Sequence, residues 1–274
     1  MPLDQQLRDI PNIPLERPLL IVSDLDGTLL DHETYSYAPA IPALERIKET
    51  GFPLILASSK TAAEIVPLRE ELGFGHCEAI VENGAGVLQP GNEIEPDDSP
   101  YHDLLSKLDK LPKALRRQYT GFSQLSIDQV ADMTGLTTKQ ASLAKRRCYS
   151  EPGIWDGDDH QFEELCTAVA DIGLTQQRGG RFITLSFGWS KQDRISEIAE
   201  KYSDHQRKAF VVALGDAPND IEMLTAADLG IVIPNPANEG IAQKIQSACE
   251  KIVCAPEKGP SGWNQSILAI LENR

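Results

Sequence analysis

Asp24 and Asp26 stand one residue apart at the end of the apolar run Leu19–Ser23, and Gly27 and Thr28 follow them. Side chains alternate along an extended strand, so positions i and i+2 share a side. Gly27 then permits a tight turn without a Cβ penalty. Two carboxylates brought together repel, and a hard cation bound through oxygen, such as Mg2+, is the usual compensation. The pattern predicts a metal-assisted site for an anionic substrate, a phosphate above all. An acidic turn after a buried strand would carry the same residues, so the pair needs company from elsewhere in the chain.

Other segments supply it. Ser58-Ser59-Lys60 follows the apolar run Phe52–Ala57, where hydroxyls and amides would lie on the ligand-binding edge of a parallel sheet and could hold a phosphate oxygen. A helix N-cap is an equal reading of Ser58. Lys191 opens a helix and could neutralise the phosphate and its nucleophile, or could be a solvated lysine. Gly215-Asp216-Ala217-Pro218-Asn219-Asp220 follows the run Ala209–Leu214 and precedes a helix. Gly215 allows a turn and Asp216 can bind metal. Asp220 suits either a ligand role or the first turn of the helix, where an acid complements the dipole. Each motif is weak alone; together, each beside a predicted strand, they converge on one site.

The elements that must position them alternate. Strands at Leu19–Ser23, Phe52–Ala57 and Ala79–Glu82 are separated by helices at Pro42–Glu49 and Thr61–Leu72, which predicts an α/β fold, a doubly wound Rossmann-like parallel sheet. From Pro90 to Pro100 the chain turns polar, and residues 101–178 read as mainly helical, with candidates at Tyr101–Lys110, Ser126–Thr134, Thr138–Arg147 and Gln161–Ile172. Arg181–Phe187 alternates like a half-exposed antiparallel strand. The α/β rhythm resumes with a helix over 191–202, a strand at Ala209–Leu214, a helix at Asp220–Ala227 and a strand at Leu229–Ile233. The expected organisation is a discontinuous catalytic core, 1–87 and 189–274, interrupted by an inserted α+β cap, 88–188.

Composition narrows the partners. The chain of 274 residues has a formal net charge of -15, which argues against nucleic acid and requires local cations or metal to capture an anion. Five scattered cysteines (Cys77, Cys148, Cys166, Cys249, Cys254) form no Cys-x-x-Cys and read as free thiols. His32, His76, His102, His160 and His205 lack ligand spacing, and Gly84-Ala85-Gly86 is too short for a dinucleotide fingerprint. Met1–Arg17 has no apolar segment of the signal-peptide or membrane kind, so no membrane partner and a cytoplasmic location are expected. In the cap, Lys145, Arg146, Arg147, Arg178 and Arg181 could meet an anionic leaving group, with Arg147 and Arg181 favoured; each could equally be a solvated surface cation. Glu82 and Asn83 could bind sugar hydroxyls, although Asn83-Gly84 also reads as a plain turn. Trp155 and Trp189 could stack on a sugar, with core packing the default.

These motifs resemble the haloacid dehalogenase superfamily of aspartate-nucleophile phosphatases, with Asp24-Leu25-Asp26-Gly27-Thr28 as the first motif, Ser58 the second, Lys191 the third and Gly215–Asp220 the fourth. The insertion is similar to the C2-type cap of its sugar-phosphate branch. Ala57-Ser58-Ser59-Lys60-Thr61, Val81-Glu82-Asn83-Gly84-Ala85, Arg147-Cys148-Tyr149-Ser150-Glu151-Pro152, Gly179-Gly180-Arg181-Phe182 and Gly259-Pro260-Ser261-Gly262-Trp263-Asn264 resemble the mannosyl-3-phosphoglycerate phosphatases. The resemblance spans about residues 19–268 and leaves Met1–Arg17 outside. It implies Asp24 as nucleophile and Asp26 as acid and base. It also implies Mg2+ on Asp24, the Asp26 carbonyl and Asp216, and phosphate held by Ser58 and Lys191. Thr28, Asn219 and Asp220 stand beside these as secondary candidates. The expected substrate is a small phosphorylated sugar or glycerate, mannosyl- or glucosyl-3-phosphoglycerate foremost. A sugar phosphomutase, another phosphatase such as one for sucrose phosphate, and a non-catalytic phospho-accepting or metal-binding switch are the alternatives.

Overall fold

Leu19, Leu20, Ile21, Val22 and Ser23 are all buried, as a strand covered on both faces must be. They form β1, the middle of a seven-stranded sheet in a computed structural model that describes residues 13–91, 97–179, 181–204, 206–236 and 251–274. The other strands of this sheet are β2 (Leu54–Ala57), β3 (Ala79–Val81), β4 (Gly86–Leu88), β9 (Phe210–Gly215), β10 (Leu229–Val232) and β11 (Ile252–Cys254). Their order is β11-β10-β9-β1-β2-β3-β4, parallel except for β4, which runs antiparallel to β3. The chain leaves β1 toward β2 on one side and returns later to β9 on the other. That reversal opens a crevice at the carboxyl end of β1.

Register decides what meets there. β1 pairs with β9 from Leu19↔Phe210 to Ser23↔Leu214, and the Asp24 amide donates to the Leu214 carbonyl at 2.9 Å. Asp24 and Asp216 therefore emerge from adjacent strand ends. Below them the helix Gly259–Glu272 buries Trp263 completely, and its Nε1 donates to Ser23 Oγ at 2.9 Å. Ser23 Oγ in turn donates to the Asp24 carbonyl at 2.6 Å.

The cap carries its own antiparallel sheet, β5 (Tyr119–Gly121), β6 (Glu151–Trp155), β7 (Thr175–Gly179) and β8 (Phe182–Ser186), in the order β5-β6-β8-β7. One face, through Ile183 and Leu185, packs on Leu104, Leu108, Leu165 and Val169 of the helices Ser99–Leu108 and Asp159–Asp171. Phe182 and Thr184 alternate to the other face, which looks toward the core. The mainly helical reading of 101–178 is thus corrected: β5, β6 and β7 lie within it. β6 contains Pro152, which lies opposite Thr184 of β8 but beyond the stretch paired with β5, which ends at Gly153. The helix expected to reach Arg147 stops at Ala144, and Leu88 belongs to the core sheet.

Of the N-terminal segment, residues 1–12 lie outside the described residues, as do His205 and Cys249. Ile13 is buried on the core, and Arg17 pairs with Asp228 at 2.9 Å. Among the described residues no helix is long and apolar enough to cross a membrane.

Trp263→Ala should cost about 3–5 kcal/mol, the range for emptying a buried aromatic site, read as a lower urea midpoint. Because Trp263 supports the strand end through Ser23, any activity that depends on Asp24 should fall in the same variant even under fully folded conditions.

Candidate active site

Three carboxylates, Asp24, Asp216 and Asp220, place an oxygen each within 4.8 Å of one another, and all three residues are buried. Lys191 reaches into this group, with Nζ 2.6 Å from Asp24 Oδ1 and 2.7 Å from Asp220 Oδ1. Lys191 is the first residue of the helix Lys191–Lys201. Ser190 caps that helix: its amide donates to Asp193 Oδ2 at 2.9 Å, while the Asp193 amide donates to Ser190 Oγ at 3.2 Å. A local capping signal thus aims the ammonium.

The electrostatics are unbalanced. Burial, and next the Asp220 charge, push the Asp24 carboxyl well above its ordinary range, against the pull of Lys191. Burial likewise raises Asp216, opposed by its hydrogen bond from Asn235. Burial acts to lower Lys191, but Asp220 and Asp24 outweigh it and hold the ammonium charged. Asp220 serves two purposes, since Oδ2 also accepts from the amides of Asp216 and Ala217 at 3.3 and 3.2 Å. Asp216 is oriented by Thr28, whose Oγ1 donates to Oδ1 at 3.0 Å, and by Asn235, whose Nδ2 donates to Oδ2.

Gly27 makes this approach possible. Its φ of +81° suits glycine, and a Cβ there would lie 2.6 Å from Asp216 Oδ2. The turn it forms also corrects the strand argument for the Asp24–Asp26 pair. β1 ends at Ser23, and both acids sit in the loop beyond it, folded by hydrogen bonds among Leu25, Gly27, Thr28 and Leu30. Asp26 stands apart from the carboxylate cluster. Its Oδ2 lies 2.9 Å from Lys60 Nζ, and its buried Oδ1 has no hydrogen-bond partner among the described residues. Each catalytic candidate has its own ammonium: Lys191 for Asp24, Lys60 for Asp26. Burial acts to lower Lys60 as well, and Asp26 and Glu64 more than offset it.

An all-oxygen donor set, a net buried negative charge and a glycine-made cradle fit a hard divalent cation. Ser58 is buried after β2, and its Oγ accepts from the Lys60 amide at 3.2 Å; the N-cap of the following helix is Thr61, so the helix-cap reading of Ser58 is corrected. Between core and cap lies a cavity of about 340 Å³, lined from the core by Ser59, Lys60, Asn83 and Asn219. Asn219 Nδ2 approaches Asn83 Oδ1 at 3.5 Å. Arg147, Phe122 and Phe182 are among its cap residues.

The remaining substrate candidates separate. Asn83 and Arg147 line the cavity. Glu82 does not: both its oxygens are taken by the cap segment 148–150 and by Arg147, which corrects the expectation of a sugar contact. Arg181 is exposed at the β7–β8 hairpin, with its guanidinium 5.8 Å over Phe182, and is not part of the cavity wall. Arg178 lies at the rim, but pairs in register with the helix-facing Ile183 and stacks 5.6 Å over Phe162. Trp189 is exposed under Arg194, and Trp155 packs by Phe162. Lys60 and Asn235 were not singled out by sequence. Their one signal is position, each just past a core strand at the ligand edge.

A family model described as haloacid dehalogenase-like hydrolase matches residues 21–128 and 118–251. The chain belongs to that family. It is 34% identical over 270 residues to the glucosyl-3-phosphoglycerate/mannosyl-3-phosphoglycerate phosphatase of Persephonella marina, covering 92% of this chain and 97% of that protein. A phosphatase of the same description from Methanococcoides burtonii is 31% identical over 267 residues, with the same coverage. Among solved structures, the sucrose-phosphatase of Synechocystis sp. PCC6803, in complex with sucrose and phosphate, superposes with a TM-score of 0.61. Its identity is 14%, over 93% of this chain and 98% of that one. A superfamily phosphatase from Bacteroides thetaiotaomicron gives 0.59 at 20% identity, over 88% and 92%. These structures share the fold. The chain is a phosphomonoesterase of the haloacid dehalogenase family, whose hydrolases use a divalent metal.

Asp216→Asn removes one buried negative charge. Because the folded-state value of Asp216 is raised above its ordinary 3.8, ionised Asp216 weakens the metal-free fold, an effect absent below 3.8 and growing as pH rises through the folded value. Metal-free Asp216→Asn should melt above the metal-free parent at pH ~7, with the gap closing toward pH ~4. Added Mg2+ should raise the melting temperature of the parent and leave the variant unmoved.

Proposed function

We propose that this chain is a Mg2+-dependent phosphatase that releases phosphate from mannosyl- or glucosyl-3-phosphoglycerate through an aspartyl-phosphate on Asp24. The observation that carries the substrate is the likeness to two glycosyl-phosphoglycerate phosphatases, which runs through cap and core alike. The cavity supports it, because a sugar and a glycerate need more room than phosphate and a cation for the carboxylate.

In the first step an Asp24 oxygen attacks phosphorus while the bond to the glyceryl oxygen breaks, and Asp26 donates a proton to that departing alkoxide. In the second, Asp26 takes a proton from the water that attacks phosphorus, and the bond to Asp24 breaks to free phosphate. Lys191 and Ser58 bind the phosphoryl oxygens; stabilising their charge is the main catalytic contribution in such transfers. Mg2+, held by Asp24, the Asp26 carbonyl and Asp216, would supply positive charge against those oxygens. The cap excludes water and recognises the leaving group. With Arg181 outside the cavity and Arg178 stacked behind the sheet, Lys60 and Arg147 are the cations that meet the glycerate carboxylate. Lys60 is the nearer to the chemistry, since it touches Asp26.

Phosphate should appear from mannosyl- and glucosyl-3-phosphoglycerate with Mg2+ and stop on chelation. A requirement for a sugar-phosphate acceptor would mean a mutase instead, and inertness toward every phosphomonoester a switch. Asp24→Asn should abolish turnover without unfolding the chain, and Asp26→Asn should lose roughly 10²–10⁴-fold. Lys60→Gln should raise KM for the phosphoglycerates roughly ten- to a hundredfold, the worth of one charged hydrogen bond, and raise it less for a neutral sugar phosphate. Equal losses on both would remove Lys60 from carboxylate recognition.

A further inference from the structure

Beyond the catalytic residues, the turn Glu82–Gly84 touches three of the loops that build the site, those of Ser58 and Lys60, of Lys191 and of Asn219. Glu82 and Asn83 both take left-handed backbone, φ +52° and +59°, which residues with a Cβ disfavour. In that conformation the Glu82 amide donates to the Lys60 carbonyl at 3.0 Å and the Asn83 amide to the Ser58 carbonyl at 2.9 Å. Arg194 Nε donates to the Gly84 carbonyl at 3.0 Å, and a Cβ on Gly84 would lie 2.2 Å from the Ser190 carbonyl carbon. Asn83 meets Asn219. The turn is therefore keyed to the loops of Ser58, Lys60, Lys191 and Asn219 at once.

Its one buried side chain faces the other way, into the cap. The amides of Cys148 and Tyr149 donate to Glu82 Oε1 and Oε2 at 2.9 and 3.2 Å, and Ser150 Oγ donates to Oε2 at 2.8 Å. Arg147 Nε lies 3.2 Å from Oε2, and its other nitrogens donate to Ser150 Oγ at 2.7 Å and to the Ser59 carbonyl at 3.3 Å. The segment 147–150 is far in sequence from both places where the chain passes between core and cap. It leads directly into β6, and Arg147 and Pro152 on either side of the contact line the cavity.

We propose that Glu82 is a core–cap latch, a positioning residue that pins the segment Arg147–Ser150 to the catalytic loops and so keeps the cap wall of the cavity in register with Asp24 and Asp26. A carboxylate suits this task because it accepts from two amides, a hydroxyl and a guanidinium together. The latch does not depend on which phosphorylated sugar fills the cavity.

The test uses the full chain with Mg2+, as Glu82→Gln and Ser150→Ala. Amide exchange at Cys148 and Tyr149 should quicken about tenfold or more in Glu82→Gln and severalfold in Ser150→Ala, while the amides of β1 and β9 keep their protection. KM for glucosyl-3-phosphoglycerate should rise by about tenfold in Glu82→Gln, with turnover of p-nitrophenyl phosphate, too small to need the cap wall, nearly unchanged. Unaltered exchange at 148 and 149, or a parallel loss on both substrates, overturns the latch. If Glu82→Gln does not fold, Ser150→Ala decides by the same two readouts. If the parent hydrolyses no phosphoglycerate, the substrate reading fails, and the exchange comparison still decides the latch.

Discussion

The site depends on a buried charge imbalance. Asp24, Asp216 and Asp220 crowd within 4.8 Å of one another with one ammonium, Lys191, among them, leaving an excess of two negative charges when all are ionised. Removing such charges from water costs several kcal/mol per ion unless they are matched. A divalent cation held among them would remove the excess and turn a site that repels phosphate into one that accepts it. Stability is given up where function needs the charge, a common arrangement at active sites. The net charge of -15 sharpens the point, since the surface offers an anion no help.

The sheet register fixes where the imbalance sits. Asp24 follows Ser23, Asp216 follows Gly215, and Ser23 pairs with Leu214, so the two acids leave neighbouring strand ends. Gly27 keeps the intervening space clear of a Cβ. Lys191 comes from a helix whose start is fixed by Ser190 and Asp193, and its length carries the ammonium to Asp24. Three local devices, a register, a glycine and a capping box, bring together residues separated by up to 192 positions in the chain.

Those devices explain what could be read before the structure was known. A strand buried on both faces is a continuous apolar run, so β1, β2 and β9 and the residues just beyond them were visible. Of the cap sheet only β8 was, through the alternation over Arg181–Phe187. β7 is Thr-Gln-Gln-Arg-Gly with almost nothing buried, β5 has three residues, and β6 contains a proline. Such strands exist because neighbours pair with them, which composition does not reveal. Partnerships were hidden for the same reason. That Asp26 faces Lys60 rather than Asp24, or that Glu82 serves the cap rather than a sugar, follows from loop conformations held by long-range contacts. Arg181 was favoured over other cations for its motif, but sits at a hairpin turn, outside the cavity that Arg147 lines.

Two cations that line the cavity arrive already paired, Arg147 with Glu82 and Lys60 with Asp26. This has a consequence for the proposed reaction. In the proposed reaction Asp26 would enter the first step with the proton it gives, leaving Lys60 opposite a neutral acid and the leaving group's carboxylate as its counterion. Once the proton has gone to the alkoxide, Asp26 is an anion again at 2.9 Å from Lys60 and competes for the same ammonium. In that proposal the attraction for the leaving group would weaken in the step that creates it. Arg147, whose pairing with Glu82 is unaffected by the proton transfer, holds the wall of the cavity in both states. In the proposed reaction one paired cation would respond to the chemistry and the other would not, a difference that would favour release of the sugar before water attacks a phosphorylated Asp24.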